Sequence, residues 1–163
     1  MPSDTVTMLA TLVGAKLKAK RLMLATAESC TGGWVAQAVT AIAGSSDWFE
    51  RGFVTYSDAA KQEMLAVSAR TLAAYGAVSE ETAREMAAGA LAHSRAQVAV
   101  AITGIAGPTG GSPEKPLGMV CFAWAIKGGV VSAVTHRFNG DRESVRRQSV
   151  IAVLQGVLEL LEG

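Results

Sequence analysis

The stretch LMLATAESCTGGWVAQAVTAIAG, residues 22–44, decides the expected fold. Its first part, LMLATAES, is a short apolar run that is typical of a strand buried on both faces. Its second part, TGGWVAQAVTAIAG, has apolar residues at helical spacing, and we expect a helix that starts at Thr31 and stops at Gly44. A buried strand that passes directly into a helix predicts an α/β protein.

The rest of the chain continues this alternation, and two late strands flank glycines 128 and 129, which suit a hairpin turn. Early strands separated by helices predict parallel pairing, and the hairpin predicts antiparallel pairing. We therefore expect an α/β fold, a three-layer α/β/α sandwich with a mixed, mainly parallel sheet, in a single domain over 1–163. Ser3 or Asp4 is expected to cap the first helix, and Asp141 the last. Predicted helices lie at 4–20, 31–44, 58–65, 69–75, 79–94 and 140–161, a helical turn at 45–50, and strands at 22–29, 51–57, 96–103, 117–126 and 130–138.

Composition argues against several classes of function. The 163 residues include 15 Lys and Arg against 14 Asp and Glu, a net charge of +1, so nucleic acid is not the expected partner. The two cysteines are far apart and both histidines are isolated, so we expect no metal site. The N-terminus does not resemble a signal peptide, and no apolar segment reaches the ~20 residues of a membrane span. We expect a cytoplasmic protein with no membrane partner.

Two nucleophile types stand side by side where the first strand passes into the helix. Ser29 lies ahead of backbone N–H groups at Thr31, Gly32 and Gly33, which we expect to be unpaired and suited to an oxyanion. The alternative is that Ser29 only caps the helix and the glycines serve packing. Cys30 has no nearby histidine to activate it, and adjacent strand residues face opposite ways, so we interpret it as a core cysteine.

A serine nucleophile needs a base, and the segment YSDAAKQ offers Lys61. A neutral lysine can act as a base when burial lowers its pKa, although a lone lysine is more often a solvated helix residue. Tyr56, at the end of a strand, could relay a proton or bind substrate. A triad with His136 would instead need Ser29 and an acid such as Asp58 close together.

The long loop GIAGPTGGSPEKP, residues 104–116, follows a buried strand, so Thr103 and Gly104 lie at that strand's carboxyl end. Ligands of α/β sheets bind at such ends, and glycine-rich backbone can cradle a phosphate. The alternative is an ordinary surface loop. A loop of this length without regular structure is more often functional.

The segment GDRESVRRQ places Arg142 and Arg146 four residues apart on one face of the last predicted helix. Two guanidinium groups near a helix start suit a phosphate. The alternative is an exposed face on which Glu143 pairs with Arg147.

Several motifs together resemble one known family: TAESCTGG, GFVTYSDAAKQEML, GAVSEET, AITGIAGPTGGSPEKPLGMV and GDRESVRRQ. The chain resembles the C-terminal domain of the CinA, or competence/damage-inducible, proteins, and specifically the single-domain nicotinamide-nucleotide amidohydrolases. The resemblance implies hydrolysis of the carboxamide of nicotinamide mononucleotide to nicotinate mononucleotide and ammonia, in pyridine nucleotide salvage. It implies no metal or cofactor, and it implies a homodimer.

The resemblance also implies roles for single residues. It places the nucleophile on Ser29 and its partner on Lys61, with Tyr56 and Thr103 at polar positions of the site. Matches to binding positions fall on Glu28, on Ser46 and on Arg142 or Arg146. Two alternatives stay open: a non-catalytic ligand-binding or interaction module, and an amidase of a different nucleotide amide.

Overall fold

One five-stranded sheet with helices on both faces forms the protein. The computed structural model describes residues 4–162. Its helices are α1 (Thr5–Lys20), α2 (Trp34–Thr40), α3 (Asp58–Leu65), α4 (Ala69–Tyr75), α5 (Glu80–Ala92) and α6 (Arg142–Glu162), with a 3₁₀ turn at Ser45–Asp47. Its strands are β1 (Leu24–Glu28), β2 (Phe49–Val54), β3 (Val98–Gly104), β4 (Met119–Ile126) and β5 (Val131–Arg137).

The sheet has the strand order β2-β1-β3-β4-β5. β1 pairs in parallel with both β2 and β3, whereas the β3–β4 and β4–β5 pairs are antiparallel. Only β4 therefore runs against the other four strands. The α/β class and the mixed sheet with helices on both faces are confirmed: four of the five strands run the same way, and two of the four strand pairs are parallel.

The two faces of the sheet carry side chains of different size because residues alternate along each strand. In β3, Val98, Val100 and Ile102 face the core beneath α1, α2 and α6. The alternate residues Ala99 and Ala101 face the core shared with α3 and α5. Small side chains on this second face allow α5 to lie close to the sheet.

The helix after β1 differs from its prediction. It begins at Trp34 rather than Thr31 and ends at Thr40 rather than Gly44. Gly32 and Gly33 have φ values of 60° and 103°, a backbone conformation that cannot belong to a right-handed helix. Residues 29–33 therefore form a turn, and this turn carries the candidate nucleophile.

The predicted caps of the first and last helices have defined partners. Asp4 accepts the N–H of Thr7 at 2.9 Å, and Asp141 accepts the N–H of Ser144 at 2.9 Å. The other predicted cap of the first helix, Ser3, lies outside the described residues. Across 4–162, no helix combines the length and the apolar character that a membrane crossing requires.

Candidate active site

A small cavity lies at the carboxyl ends of the neighbouring strands β1 and β3. β1 ends at Glu28, and the N–H of Ser29 continues the sheet by donating to the carbonyl of Ile102 in β3, at 3.0 Å. The side chain of Ser29 is 7% exposed. The cavity measures about 160 Å³, and its walls are formed by Ser29, Cys30, Tyr56, Lys61, Ala77, Val78, Thr103, Gly104, Ala106 and Arg142.

Lys61 reaches this cavity from the first turns of α3. Its Nζ lies 3.0 Å from Ser29 Oγ, 2.9 Å from the carbonyl oxygen of Thr55 and 3.1 Å from that of Tyr56. The side chain is only 1% exposed, so Lys61 is not a solvated surface lysine. Ser57 caps α3 by accepting the N–H of Ala60, which sets where the helix begins.

The surroundings of Lys61 favour its neutral amine. Burial lowers its pKa, and this effect outweighs the opposing charge of Asp58. A neutral amine has two N–H groups and one lone pair. The two carbonyls of Thr55 and Tyr56 accept the two N–H groups, which leaves the lone pair free to accept the hydroxyl proton of Ser29.

The other potential nucleophile, Cys30, is unsuited to attack. Its side chain is 6% exposed and belongs to the hydrophobic core between the sheet and α1, α2 and α6. Burial raises the pKa of its thiol to about 12, so the thiol stays protonated at neutral pH. The structure agrees with the interpretation of Cys30 as a core cysteine.

Glu28 and Thr31 are engaged with each other rather than open to a ligand. The buried Glu28 carboxylate accepts the hydroxyl of Thr31 at 2.6 Å and the N–H groups of Val35 and Ala36 at 2.8 and 3.0 Å. It therefore caps α2, where a negative charge is favourable. The Glu28 side chain, which the resemblance matched to a binding position, is therefore engaged with the protein itself. The prediction for Thr31 concerned its backbone N–H, which these contacts do not use.

The turn that follows Ser29 offers fewer free amides than expected. The N–H of Gly32 is paired, because it donates to the carbonyl of Ser29 at 3.0 Å. The N–H groups of Cys30, Thr31 and Gly33 have no acceptor among residues 4–162. The prediction of free amides over Thr31, Gly32 and Gly33 is thus wrong for Gly32, and Cys30 joins the free set.

Arg142 and Arg146 of α6 donate hydrogen bonds to different partners, contrary to the expectation of a shared phosphate site. Arg142 is exposed at the cavity, where its guanidinium donates to the carbonyl of Gly107 at 2.9 Å and to the hydroxyl of Tyr56 at 3.3 Å. Arg146 is half-buried and donates to the carbonyls of Cys30 and Thr31 at 3.0 and 3.1 Å.

The alternative interpretation of this helix, an ion pair between Glu143 and Arg147, is not met within residues 4–162. Arg147 lies 3.8 Å from Asp4 at the start of α1, and among residues 4–162 it does not pair with Glu143.

Tyr56 contributes to the site through two different atoms. Its carbonyl accepts from Lys61, whereas its hydroxyl lies beside Arg142 at the mouth of the cavity. The side chain is 63% exposed. This placement suits contact with a bound substrate and not the proton relay between Ser29 and Lys61 that the sequence left open.

Thr103 and Gly104 close the base of the cavity at the end of β3. The Thr103 hydroxyl donates to the carbonyl of Ala77 at 2.8 Å and so ties β3 to the segment before α5. A Cβ at Gly104 would lie 2.8 Å from the side chain of Val120, so only glycine fits between the strands there.

Ser46 lies apart from the other predicted residues. It stands in the exposed 3₁₀ turn before β2, and β2 begins level with the start of β1. Ser46 therefore lies near the amino ends of β1 and β2, whereas Ser29 follows the carboxyl end of β1, and Ser46 does not contribute to this cavity.

His136 is likewise absent from the cavity. Its ring packs against Phe122 and Phe138, so the structure brings no histidine triad together at Ser29.

Sequence reasoning missed part of the site. Thr55 supplies a carbonyl to Lys61, and Ala77 and Val78 form one wall of the cavity. The available signal was the motif GAVSEET, one of the motifs that carry the resemblance, whose second and third residues form this wall. Within 4–162, no cluster of three His, Cys, Asp or Glu side chains could hold a metal ion.

Comparison with known proteins places the chain in a family. The sequence model of the CinA C-terminal domain matches residues 6–161. The nicotinamide-nucleotide amidohydrolase PncC of Enterobacter agglomerans is 57% identical over 146 residues, which cover 90% of this chain and 89% of that protein. PncC of Escherichia coli K12 is 55% identical over 157 residues, covering 95% and 94%.

A solved structure supports the same assignment. The competence/damage inducible protein CihA from Agrobacterium tumefaciens superposes with a TM-score of 0.95 at 45% identity, covering 100% of this chain and 99% of that one. Sequence and structure agree over almost the full length, and the chain therefore belongs to the CinA C-terminal domain family.

Proposed function

We propose that this protein hydrolyses the carboxamide of nicotinamide mononucleotide, giving nicotinate mononucleotide and ammonia. The names of the similar proteins from Enterobacter agglomerans and Escherichia coli support this substrate. The observation that carries the chemistry is the 3.0 Å contact between Lys61 Nζ and Ser29 Oγ at the wall of the cavity. A serine beside a base within hydrogen-bond reach is the arrangement of an acyl-transfer hydrolase.

The reaction proceeds in two halves. Neutral Lys61 takes the hydroxyl proton of Ser29 while Ser29 Oγ attacks the carboxamide carbon. Lys61 then returns the proton to the amide nitrogen, the carbon–nitrogen bond breaks and ammonia leaves, so that an ester to Ser29 remains. In the second half Lys61 takes a proton from a water, the water attacks the ester, and Ser29 recovers its proton as nicotinate mononucleotide departs.

Backbone amides stabilise the negative charge that develops on the carbonyl oxygen. The free N–H groups of Cys30 and Thr31 are the donors nearest in sequence to the nucleophile. In serine hydrolases of the nucleophile-elbow type, the residue after the nucleophile supplies such a donor. One donor of this kind contributes about 3 kcal/mol to the transition state.

The nucleotide portion of the substrate lies outside the reacting cavity. Arg142 and Tyr56 stand exposed at the mouth, and Arg142 contacts the loop 105–118 through the carbonyl of Gly107. A guanidinium at this position suits the 5′-phosphate. Binding energy from the phosphate helps to hold the carboxamide against Ser29. We assign the activity to pyridine nucleotide salvage.

The decisive experiment measures ammonia release from nicotinamide mononucleotide by the purified protein and by Ser29→Ala. We expect kcat to fall by about 10³-fold or more, because the covalent route is lost. Cys121→Ser, a substitution at a buried cysteine of β4, serves as a control that keeps activity.

Near-normal turnover by Ser29→Ala would refute the nucleophile assignment. Release of ammonia only from other nucleotide amides would refute the substrate. No release from any amide would favour a non-catalytic binding module.

A further inference from the structure

Arg146 has a set of contacts that the proposed reaction does not use. Its Nε donates to the carbonyl of Cys30 and its Nη2 to the carbonyl of Thr31, at 3.0 and 3.1 Å. Its guanidinium also lies over the ring of Trp34, 5.7 Å from the ring centroid. Among residues 4–162, no carboxylate pairs with it. The hydrogen bonds of Arg146 that the structure describes all go to the backbone immediately after the nucleophile.

These two hydrogen bonds help to set the orientation of the peptide groups in the turn, together with the N–H of Trp34, which donates to the same carbonyl of Thr31 at 3.0 Å. In a trans peptide the carbonyl and the following N–H point in opposite directions. Holding the carbonyl of Cys30 towards Arg146 therefore turns the N–H of Thr31 away from it. Holding the carbonyl of Thr31 in the same way turns the N–H of Gly32 away, and that N–H donates to the carbonyl of Ser29. A third peptide group, which includes the N–H of Cys30, is fixed through this bond.

Close packing around the guanidinium of Arg146 supports a fixed position for this group. A Cβ added at Gly32, where φ is 60°, would lie 3.3 Å from Nη2 of Arg146. The backbone at this point therefore passes close against the guanidinium. The planar fork of arginine donates to two adjacent carbonyls at once, which a lysine ammonium does with less geometric definition.

We propose that Arg146 is a positioning residue for the hydrolysis, holding the peptide groups after Ser29 so that the N–H groups of Cys30 and Thr31 face the developing oxyanion. This inference rests on the proposed function for its kinetic consequence. It differs from the expectation that Arg146 binds phosphate. A positioning role affects the chemical step, whereas a phosphate role affects binding of the nucleotide and its preference over nicotinamide riboside.

The test compares Arg146→Met with Arg142→Met and with Arg147→Met as a matched control on the same helix. For Arg146→Met we expect kcat to fall about 10²-fold, the loss typical of one oxyanion donor, with KM changed less than about threefold. Its preference for nicotinamide mononucleotide over the riboside should persist. Arg142→Met should instead lose this preference, and Arg146→Lys should recover part of the lost kcat.

A second measurement separates failure of this inference from failure of the proposed function. Hydrogen exchange at the Gly32 amide should accelerate at least about tenfold in Arg146→Met and not in Arg147→Met, whether or not the protein is active. Unchanged exchange would overturn the positioning role. So would an unchanged kcat in an active enzyme, or a raised KM together with lost preference for the nucleotide. If Arg146→Met does not fold, the same criteria apply to Arg146→Lys, with smaller changes expected.

Discussion

Lys61 lies in an environment that is unusual for a lysine. Lysines are almost never fully buried unless they are paired, yet this one is 1% exposed, and among residues 4–162 no carboxylate forms an ion pair with its Nζ. Two backbone carbonyls and one hydroxyl satisfy its hydrogen bonds. Desolvation outweighs the attraction of the Asp58 charge and favours the neutral amine, which is the form that a base requires.

The lowered pKa of Lys61 predicts the pH dependence of the reaction. The value of kcat/KM should rise with pH as Lys61 loses its proton in the free enzyme, and should level off below pH 10.5, the ordinary pKa of lysine. Initial rates of ammonia release across a pH series measure this. Lys61→Arg should lose about 10²-fold or more in kcat at every pH, because arginine stays protonated.

The same residue should also leave a signature in stability. Between the lowered pKa of Lys61 and 10.5, the unfolded chain binds more protons than the folded one, so the free energy of unfolding rises with pH. Urea titrations should show this rise in the natural protein and a flatter profile in Lys61→Met. A rise in kcat/KM that continues to pH 10.5 or above would contradict the lowered pKa. So would the same dependence of the free energy of unfolding on pH in the natural protein and in Lys61→Met.

At the scale of the element, the turn between β1 and α2 is held from two sides. Glu28, at the last position of β1, caps α2 by accepting the N–H groups of Val35 and Ala36. Arg146 of α6 donates to two carbonyls of the same turn. The acidic residue beside the nucleophile therefore has a structural task. A helix start that would attract an anionic ligand is instead neutralised by a carboxylate of the protein.

Contact between α3 and α5 determines where Lys61 sits. A Cβ added at Gly89 in α5 would lie 2.0 Å from the carbonyl oxygen of Leu65, the last residue of α3. Gly89→Ala should therefore push α3 away, destabilise the protein by about 1–3 kcal/mol and lower kcat. Denaturant titration and turnover measure both effects.

Ala88→Ser, at the exposed neighbouring position, provides the control and should change stability by less than about 0.5 kcal/mol. Full activity and stability in Gly89→Ala would mean that the packing of α3 on α5 does not position Lys61.

At the scale of the whole molecule, the sheet has β2 and β5 as its two edges. Exposed apolar side chains lie at both, Val54 at the end of β2 and Val130 just before β5. Sheet edges of this kind invite pairing with a second chain. The family resemblance implied a homodimer, and we expect light scattering in solution to give twice the 16.8 kDa of one chain. A single-chain mass over the full concentration range would contradict this prediction.

Much of the fold could be predicted from the sequence because it depends on local patterns. The apolar run of β1, the caps at Asp4 and Asp141 and the glycines of the late hairpin each indicate a conformation within a few residues. The limits of α2 could not be predicted in the same way. The predicted helix extends three residues before the observed one and four residues after it. At its start, the left-handed backbone of Gly32 and Gly33 excludes residues 31–33 from the helix.

An apolar run followed by helical spacing predicts that a buried strand passes into a helix next to Ser29. Ser29 is favoured over Cys30 because adjacent strand residues face opposite ways and no histidine is near in sequence. The contacts of the charged residues are visible only in the tertiary structure. Lys61 is 32 positions from Ser29, and Arg146 is 116 positions from Cys30. A charged side chain in a helix pattern has solvent as its default neighbour. Which one is buried, and against which carbonyl, is set by how distant elements pack, and no local pattern encodes that.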